Sequence, residues 1–386
     1  MMGTHISGIT AMSKLPKLTT LVLSMLLLSL TRKSTSLSTP QPATRKKIAL
    51  ITGANKGIGK EIARRLGTDP DFTAVIASRD PELGRKAAED LRANPGKFSV
   101  HKHDHDHDHD HDHGDDDDCK YECDVISLPM ALDLTDPTST TNAVKYIEEN
   151  YGVLDVLINN AAVCFNDPTL YGKVEYTPFE KQAGITIQTN FFGTLDVTTS
   201  FLPLLKKSPS PRIINIASAA GRLTILRSPE LVNKFTSNAL DISKLSTLMK
   251  QFQSDVEDGT HLEKGWPNTC YGVSKLGIIA MTRVLAREHP EMMINSVDPG
   301  YCKTDQNDNR GTVDPKDGAY TPYLLSLMEV GGDDDYDDDE EEDGEANDEA
   351  NDDLFAGDEN DAGAEGAETI SGLHFYEEQE MPWTYQ

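Results

Sequence analysis

The first sixty residues contain no aspartate or glutamate, although the whole chain carries 64 acidic residues against 36 basic ones and a net charge of −28. Residues 333–368 show the opposite lack: twenty acids and no lysine or arginine, while residues 104–118 add nine aspartates. These two tracts take 29 of the acids, and the remaining 35 nearly balance the 36 basic residues. The charge is therefore local and says little about a substrate. It does argue against a nucleic-acid partner, because acidic tracts repel phosphates. Cysteine is scarce, at five residues, an odd number without framework spacing, which excludes a disulfide-stapled module. The apolar run at residues 18–30 is 13 residues long, too short for a comfortable membrane span and suited to a signal-peptide core. With the acid-free Ser-, Thr-, Pro-, Arg- and Lys-rich stretch after it, residues 1–46 read as a targeting leader. Its destination is an organelle or the secretory pathway, with a bipartite plastid-type form among the options. A membrane anchor or a cytoplasmic protein are the alternatives.

The segment Lys47-Ile-Ala-Leu-Ile-Thr52 is a short apolar run and reads as a buried parallel strand. It runs into Gly53-Ala-Asn-Lys-Gly57-Ile-Gly59 and then an amphipathic helix. Strand, glycine turn and helix in succession make a pyrophosphate site. The backbone can approach the ligand closely, and the helix N-terminus offers N–H groups and partial positive charge. The candidate cofactor residues are Gly53, Asn55, Lys56, Gly57, Ile58 and Gly59. A second strand ends in Ser78-Arg79, where a site built for NAD usually carries an acid for the ribose 2′-hydroxyl. Serine followed by arginine removes that repulsion and offers a guanidinium fork, and Lys56 can add a second cation. This chemistry favours NADP(H).

Downstream, Tyr271-Gly-Val-Ser-Lys275 puts a phenol and an ammonium on one face of a helix turn. A lysine beside a tyrosine favours the phenolate, so the phenol can give up and regain a proton near neutral pH. Either motif alone is weak. Asn159 and Asn160, after an apolar run, are consistent with turn formers as well as with a site.

Taken in order, the chain resembles the short-chain dehydrogenases/reductases, and within them the carbonyl reductases. The runs that carry the likeness are Thr52-Gly-Ala-Asn-Lys-Gly-Ile-Gly59, Asn159-Asn-Ala-Ala162, Asn190-Phe-Phe-Gly-Thr194, Ile214-Asn-Ile-Ala-Ser218, Glu263-Lys-Gly-Trp-Pro267, Tyr271-Gly-Val-Ser-Lys275 and Asp298-Pro-Gly300. Ala162 departs from the usual glycine. The resemblance implies a Rossmann-like, doubly wound parallel α/β sheet in a single domain, with a helical insert ahead of the catalytic tyrosine. It implies reduction of ketones, aldehydes or quinones by hydride from NADPH. Tyr271 would be the general acid, Lys275 would lower its pKa and hold the nicotinamide ribose, and Ser218 would hydrogen-bond the substrate oxygen. Asn190 would hold a water of the proton relay. Asn160, Asp133, Leu134, Pro299, Gly300 and Thr304 fall at matching cofactor positions, with Asp133 and Leu134 beside the adenine and Thr304 on the carboxamide.

The domain reading is a leader at 1–46, a reductase unit at 47–328, an acidic insertion at 329–369, and a strand and tail at 370–386. Within the unit, residues 101–127 form a His/Asp insertion ahead of a third strand at 128–132. Its imidazoles, carboxylates and thiols are competent metal ligands, but a repeat has no defined shell, so it reads as a solvated loop and no metal site is assigned. Residues 219–269 form the helical insert, with helices expected at 228–235 and 241–257; the likeness to monomeric carbonyl reductases implies a monomer. Long helices are expected at 179–205 and 271–288, and a last strand near 372–375. Cys270 is a candidate thiol near the pocket. Two other functions stay open: a nonenzymatic NADP-binding Rossmann protein that uses its acidic and His-rich tracts for partners or metals, and a specialised terpenoid or alkaloid ketone reductase.

Overall fold

The computed structural model describes residues 45–96, 123–165, 177–328 and 370–382. The leader up to residue 44, most of the His/Asp tract and the whole acidic tract lie outside these residues. The chain forms β1 (Lys47–Thr52), α1 (Gly57–Thr68), β2 (Phe72–Ala77), α2 (Pro81–Ala93), β3 (Val125–Ser127), α3 (Pro137–Tyr151) and β4 (Val156–Asn159). Next come α4 (Phe179–Ile187), a π-helical turn (Gln188–Gly193), α5 (Thr194–Leu205), β5 (Arg212–Ile216), α6 (Pro229–Thr236), α7 (Ile242–Glu257) and α8 (Cys270–Glu288). β6 (Met293–Asp298), α9 (Pro315–Gly318), α10 (Tyr320–Leu327), β7 (His374–Tyr376) and β8 (Gln379–Glu380) complete it.

The sheet order is β3-β2-β1-β4-β5-β6-β7-β8, parallel throughout except for the antiparallel β8. Alternate residues of one strand serve opposite layers. Ile48 and Leu50 pack with α3, α5 and α8, whereas Ala49 and Ile51 pack with α1, α2 and α10. A sheet covered on both faces needs strands apolar at every position, which is why β1 and β2 read as continuous runs. Several helices open on the same device: Asp80-Pro81, Asp136-Pro137, Ser228-Pro229 and Asp314-Pro315 each place a side-chain acceptor on orphan N–H groups and a proline where no N–H is needed.

Three expectations shift. The third strand is Val125–Ser127, not 128–132, because Pro129 cannot donate to a ladder. Leu128 and Leu132 still bond the end of β2, through Ile76 O and Ser78 O. The helix expected at 179–205 runs its full length but carries a π turn at Gln188–Gly193. The last strand folds back as a hairpin through Glu377 and Glu378, both left-handed, a turn with no glycine to announce it. Arg45, ahead of the expected start of the fold, makes a two-pronged bond to the buried Asp155 at 2.7 and 2.8 Å. Among the described residues no helix is long and apolar enough to cross a membrane.

Candidate active site

The strand order reverses at β1 and β4, and such a switch point leaves a crevice at the carboxyl ends of the strands. The glycine turn fills its floor. Gly53 and Gly57 take left-handed conformations, φ 65° and 57°. Gly59 is buried beneath the turn, where a β-carbon would stand 2.4 Å from Asn160 Nδ2. Asn160 itself donates to Thr52 O at 2.9 Å and Gly53 O at 3.2 Å, while its N–H and that of Ala161 reach Thr52 Oγ1 at 3.0 Å. Asn160 therefore shapes the turn from below as well as lining the cleft.

The cleft measures about 340 Å³ and is lined by Gly53, Asn55, Lys56, Gly57, Ile58, Ser78, Arg79, Asp133, Leu134, Asn160 and Thr304 of the expected set. At the end of β2, Ser78 is buried and Arg79 exposed, facing Asp133. The acid that follows, Asp80, is occupied in capping α2. Asp133 accepts from Thr135 N–H and hydroxyl, so its carboxylate braces the loop before α3. Lys56 Nζ pairs with Asp305 at 2.9 Å, with both side chains about two-thirds exposed. Such a pair contributes little stability and leaves the ammonium available to a phosphate. A floor with no room for a side chain, a cation and no free acid beside the ribose end together fit a dinucleotide bearing a 2′-phosphate.

Ser218, from the turn after β5, meets Tyr271 and Lys275 of α8 beyond the inner end of the cleft. Ser218 leaves β5 and accepts from Ala220 N–H at 3.2 Å, capping the short turn that follows, and its hydroxyl favours the ionised form of the Tyr271 phenol. Its turn lies directly on α8: a β-carbon at Gly221 would stand 2.5 Å from the Lys275 carbonyl carbon. Lys275 is buried and donates to Ile216 O at 2.6 Å, with its ammonium 5.6 Å from the centre of the Tyr271 ring. Burial lowers its pKa to about 8, against the opposing pull of Cys164 and Asp298. Burial also raises the Tyr271 phenol well above its ordinary value, outweighing hydrogen bonds from Gln306 and Ser218. The expected phenolate-favouring effect of the lysine is thus overridden here, because the ammonium turns to a backbone carbonyl and desolvation penalises the charged phenolate.

Asn190 sits in the π turn, a distortion frequent at functional sites. Its side chain accepts from Val163 N–H and donates to Val163 O, both at 2.8 Å, and to Ser274 Oγ at 3.0 Å. Its side chain thereby ties the exit of β4 to α8. Pro299 and Gly300 turn the chain after β6, and Thr304 packs its methyl over Gly57. Cys270 is packed, its thiol pushed up to about 12 by burial; the cysteine beside the pocket is Cys164.

Sequence reasoning gave no role to three residues. Asp298 accepts from Ala219 N–H at 2.8 Å and Gly300 N–H at 3.0 Å, joining the turns after β5 and β6. Asn159, buried, donates to Thr198 at 2.9 Å and to Asn215 at 2.8 Å, and Asn215 donates to Thr282 at 2.9 Å, a polar chain through the core behind the site. Gln306 lines the cleft and favours the ionised form of the Tyr271 phenol. The signals for Asp298 and Asn159 were their places in the Asp-Pro-Gly and Asn-Asn-Ala-Ala runs; for Gln306 there was none.

The insert packs over α4 and α8. Met249 of α7 lies against Gly277, Gln253 against Gly184, and Trp266 donates to the buried Asp255 at 2.9 Å between Phe235 and Phe252.

A switch-point glycine turn with a serine, tyrosine and lysine gathered beyond it defines an oxidoreductase of the doubly wound α/β class. The chain belongs to the short chain dehydrogenase family, whose sequence pattern matches residues 47–114 and 119–229. It is 35% identical over 292 residues to mouse carbonyl reductase [NADPH] 1, covering 73% of this chain and 91% of the relative. The human carbonyl reductase [NADPH] 1 is 34% identical over 290 residues, with the same coverage of 73% and 91%. Among solved structures, salutaridine reductase from Papaver somniferum superposes with a TM-score of 0.60 at 26% identity, over 73% of this chain and 96% of that one. Menthone neomenthol reductase from Mentha piperita gives a TM-score of 0.59 at 29% identity, over 75% and 97%.

Proposed function

We propose that this chain is an NADPH-dependent carbonyl reductase that converts ketones, aldehydes or quinones to alcohols. The observation that carries the reading is the Ser218–Tyr271–Lys275 group at the inner end of a cleft fitted to a phosphorylated dinucleotide. The dinucleotide supplies the hydride that reduces the carbonyl carbon. Arg79 and Lys56 hold its 2′-phosphate, the glycine turn its pyrophosphate, and Thr304 closes over the turn.

The chain's own work is proton management. Tyr271, kept protonated by burial, gives its proton to the carbonyl oxygen as charge develops there, and the Ser218 hydroxyl donates a second hydrogen bond to the same oxygen. Lys275, with its pKa at about 8, is poised to pass a proton toward the phenol near neutral pH and to offset negative charge left on it. Asn190 holds the exit of β4 to α8, and Asp298 holds the turn after β5 to the turn after β6. Retention of this machinery speaks against a nonenzymatic nucleotide binder. The likeness to salutaridine and menthone neomenthol reductases keeps a narrower, cyclic-ketone reading in view.

The same reading makes the enzyme a monomer, since α7 covers the faces of α4 and α8 that would otherwise meet a second subunit, and it takes the stretch ahead of Arg45, which is bonded to Asp155 of the fold, as a targeting leader. The deciding assay follows NADPH oxidation against quinones, aldehydes and cyclic ketones, with Tyr271→Phe as control. Turnover in that variant is expected to fall at least about a hundredfold, the ordinary worth of a general acid, with NADPH affinity little changed. Near-normal turnover in Tyr271→Phe would remove the assignment.

A further inference from the structure

Among the described residues that line the cleft, Lys56 and Arg79 supply positive charge, and Asp80, Asp133 and Asp305 supply negative charge. Two of the acids are occupied within their own loops. Asp80 accepts from the N–H groups of Glu82 and Leu83 at 2.9 and 3.3 Å, and Asp133 from the Thr135 N–H and hydroxyl at 2.9 and 2.7 Å. Asp305 differs. Its carboxylate reaches from the turn after β6 to the glycine turn after β1 and takes Lys56 Nζ at 2.9 Å. One of the two cations suited to a 2′-phosphate is therefore held by an acid from another part of the chain.

That acid is presented from a firm backbone. Thr304, its neighbour, packs its methyl over Gly57. Thr304 N–H donates to Asn307 Oδ1 at 3.3 Å, and Thr304 O accepts from the N–H groups of Asn307 and Asn309 at 3.1 and 2.9 Å. The buried Asn307 also donates through Nδ2 to Cys302 O at 2.8 Å. Asp308 and Asn309 leave the turn in left-handed conformations, φ 54° and 58°, which non-glycine residues hold only where surrounding bonds enforce them. The turn thus keeps Asp305 beside the glycine turn, while the two paired side chains, about two-thirds exposed, can part at little cost.

Charge decides which anion takes the ammonium. A phosphate monoester carries about −1.5 to −2 near pH 7 and offers three acceptor oxygens, more than a carboxylate does. The displaced carboxylate, held by its turn, stays within the Debye length, about 8 Å at physiological salt, and opposes the phosphate that replaced it. We propose that Asp305 is a specificity-determining residue: it competes with the 2′-phosphate for Lys56 and holds NADPH affinity below what the two cations alone would give. This rests on the cleft being an NADPH site and deepens that reading. A carboxylate ready to retake the ammonium also shortens the stay of the phosphorylated dinucleotide, since affinity differences within one site are expressed mostly in dissociation.

The test measures binding rather than turnover, by fluorescence titration of NADPH and NADH against the full chain and its Asp305→Asn, Asp305→Ser and Lys56→Met variants. Both Asp305 substitutions fall on an exposed side chain, and melting curves check that the fold is kept. Removing the acid should tighten NADPH about three- to fivefold at low salt and slow its release by a similar factor, the scale of one exposed pair. NADH, with a pyrophosphate but no 2′-phosphate, should gain much less. In about 1 M salt, where the Debye length falls to about 3 Å, the NADPH gain should shrink toward unity. Lys56→Met should itself weaken NADPH, and adding Asp305→Asn to it should give no NADPH gain beyond that seen with NADH. Unchanged NADPH affinity in both Asp305 variants overturns the proposal. So does an equal gain for NADPH and NADH, which would make the acid a general repeller of phosphate, or a gain that survives Lys56→Met. Weaker NADPH binding overturns it too, and would make the pair a clasp over the bound dinucleotide. A parent protein that binds neither dinucleotide removes the NADPH reading of the cleft, and the competition with it.

Discussion

The dinucleotide cleft and the catalytic group meet at the Thr304–Gln306 turn, but they are made of different material. The cleft is mostly backbone: two left-handed glycines, a third with no room for a side chain, and a helix N-terminus. Its side-chain cations are exposed and weakly held, as the Lys56–Asp305 pair shows. The catalytic group is side chains, and they are sunk in protein where charge is costly. Burial pushes the lysine down to about 8 and the phenol up. A binding site built from backbone geometry can be stable and still bind. A proton-transfer site must hold groups away from their preferred states, and part of the fold's stability is spent in doing so.

The sharpest way to break this comparison is Lys275→Met. The variant should lose at least about a hundredfold in turnover, because the one buried ammonium described beside the phenol is gone. It should not melt earlier at neutral pH. A lysine whose folded pKa lies below its unfolded value is disfavoured in the charged form below about 8, and that penalty is relieved only as pH rises from there toward the unfolded value. Wild-type stability should accordingly gain over that alkaline window relative to the variant. Melting curves at neutral and alkaline pH read both signs, and a variant that melts much earlier at neutral pH would mean the buried ammonium stabilises the fold.

Gly59→Ala attacks the other region. The new methyl would fall on Asn160 Nδ2 and near Ala54, so the turn must shift. NADPH affinity should drop at least about tenfold, and overpacking should cost about 1–3 kcal/mol in stability. Adding Asn160→Ala removes the clash and should restore stability in part. Fluorescence titration and melting curves report the two effects, and additive losses would show that Asn160 is not what the methyl meets.

Arg79→Asp is gentler, since it alters one exposed side chain at the edge of the cleft. The ratio of kcat/KM for NADPH over NADH should fall about tenfold or more as a carboxylate faces the 2′-phosphate. An unchanged ratio would locate phosphate recognition elsewhere. The smallest effect concerns assembly. Light scattering after size exclusion is expected to give a monomer at micromolar concentration, and a stable dimer would mean that α7 leaves a pairing face open.

Much of this protein was legible because its signals are local. A continuous apolar run, a glycine turn and an amphipathic helix specify one strand–turn–helix unit within about thirty residues, since sheet burial, positive φ and helix period each act over a few positions. The insert helices were legible for the same reason, from Leu and Met recurring at helical spacing in Ser228–Phe235 and Asp241–Glu257. What sequence could not give was anything that depends on a partner far along the chain. Pro129 displaced β3, a π turn reoriented Asn190, and Lys275 found the Ile216 carbonyl 59 residues away. The phenol's protonation state turned on desolvation, which no spacing encodes. Gln306 had no motif at all. It lines the cleft only because the turn after β6 folds back onto the glycine turn, with Thr304 against Gly57, a contact that only packing in three dimensions can make.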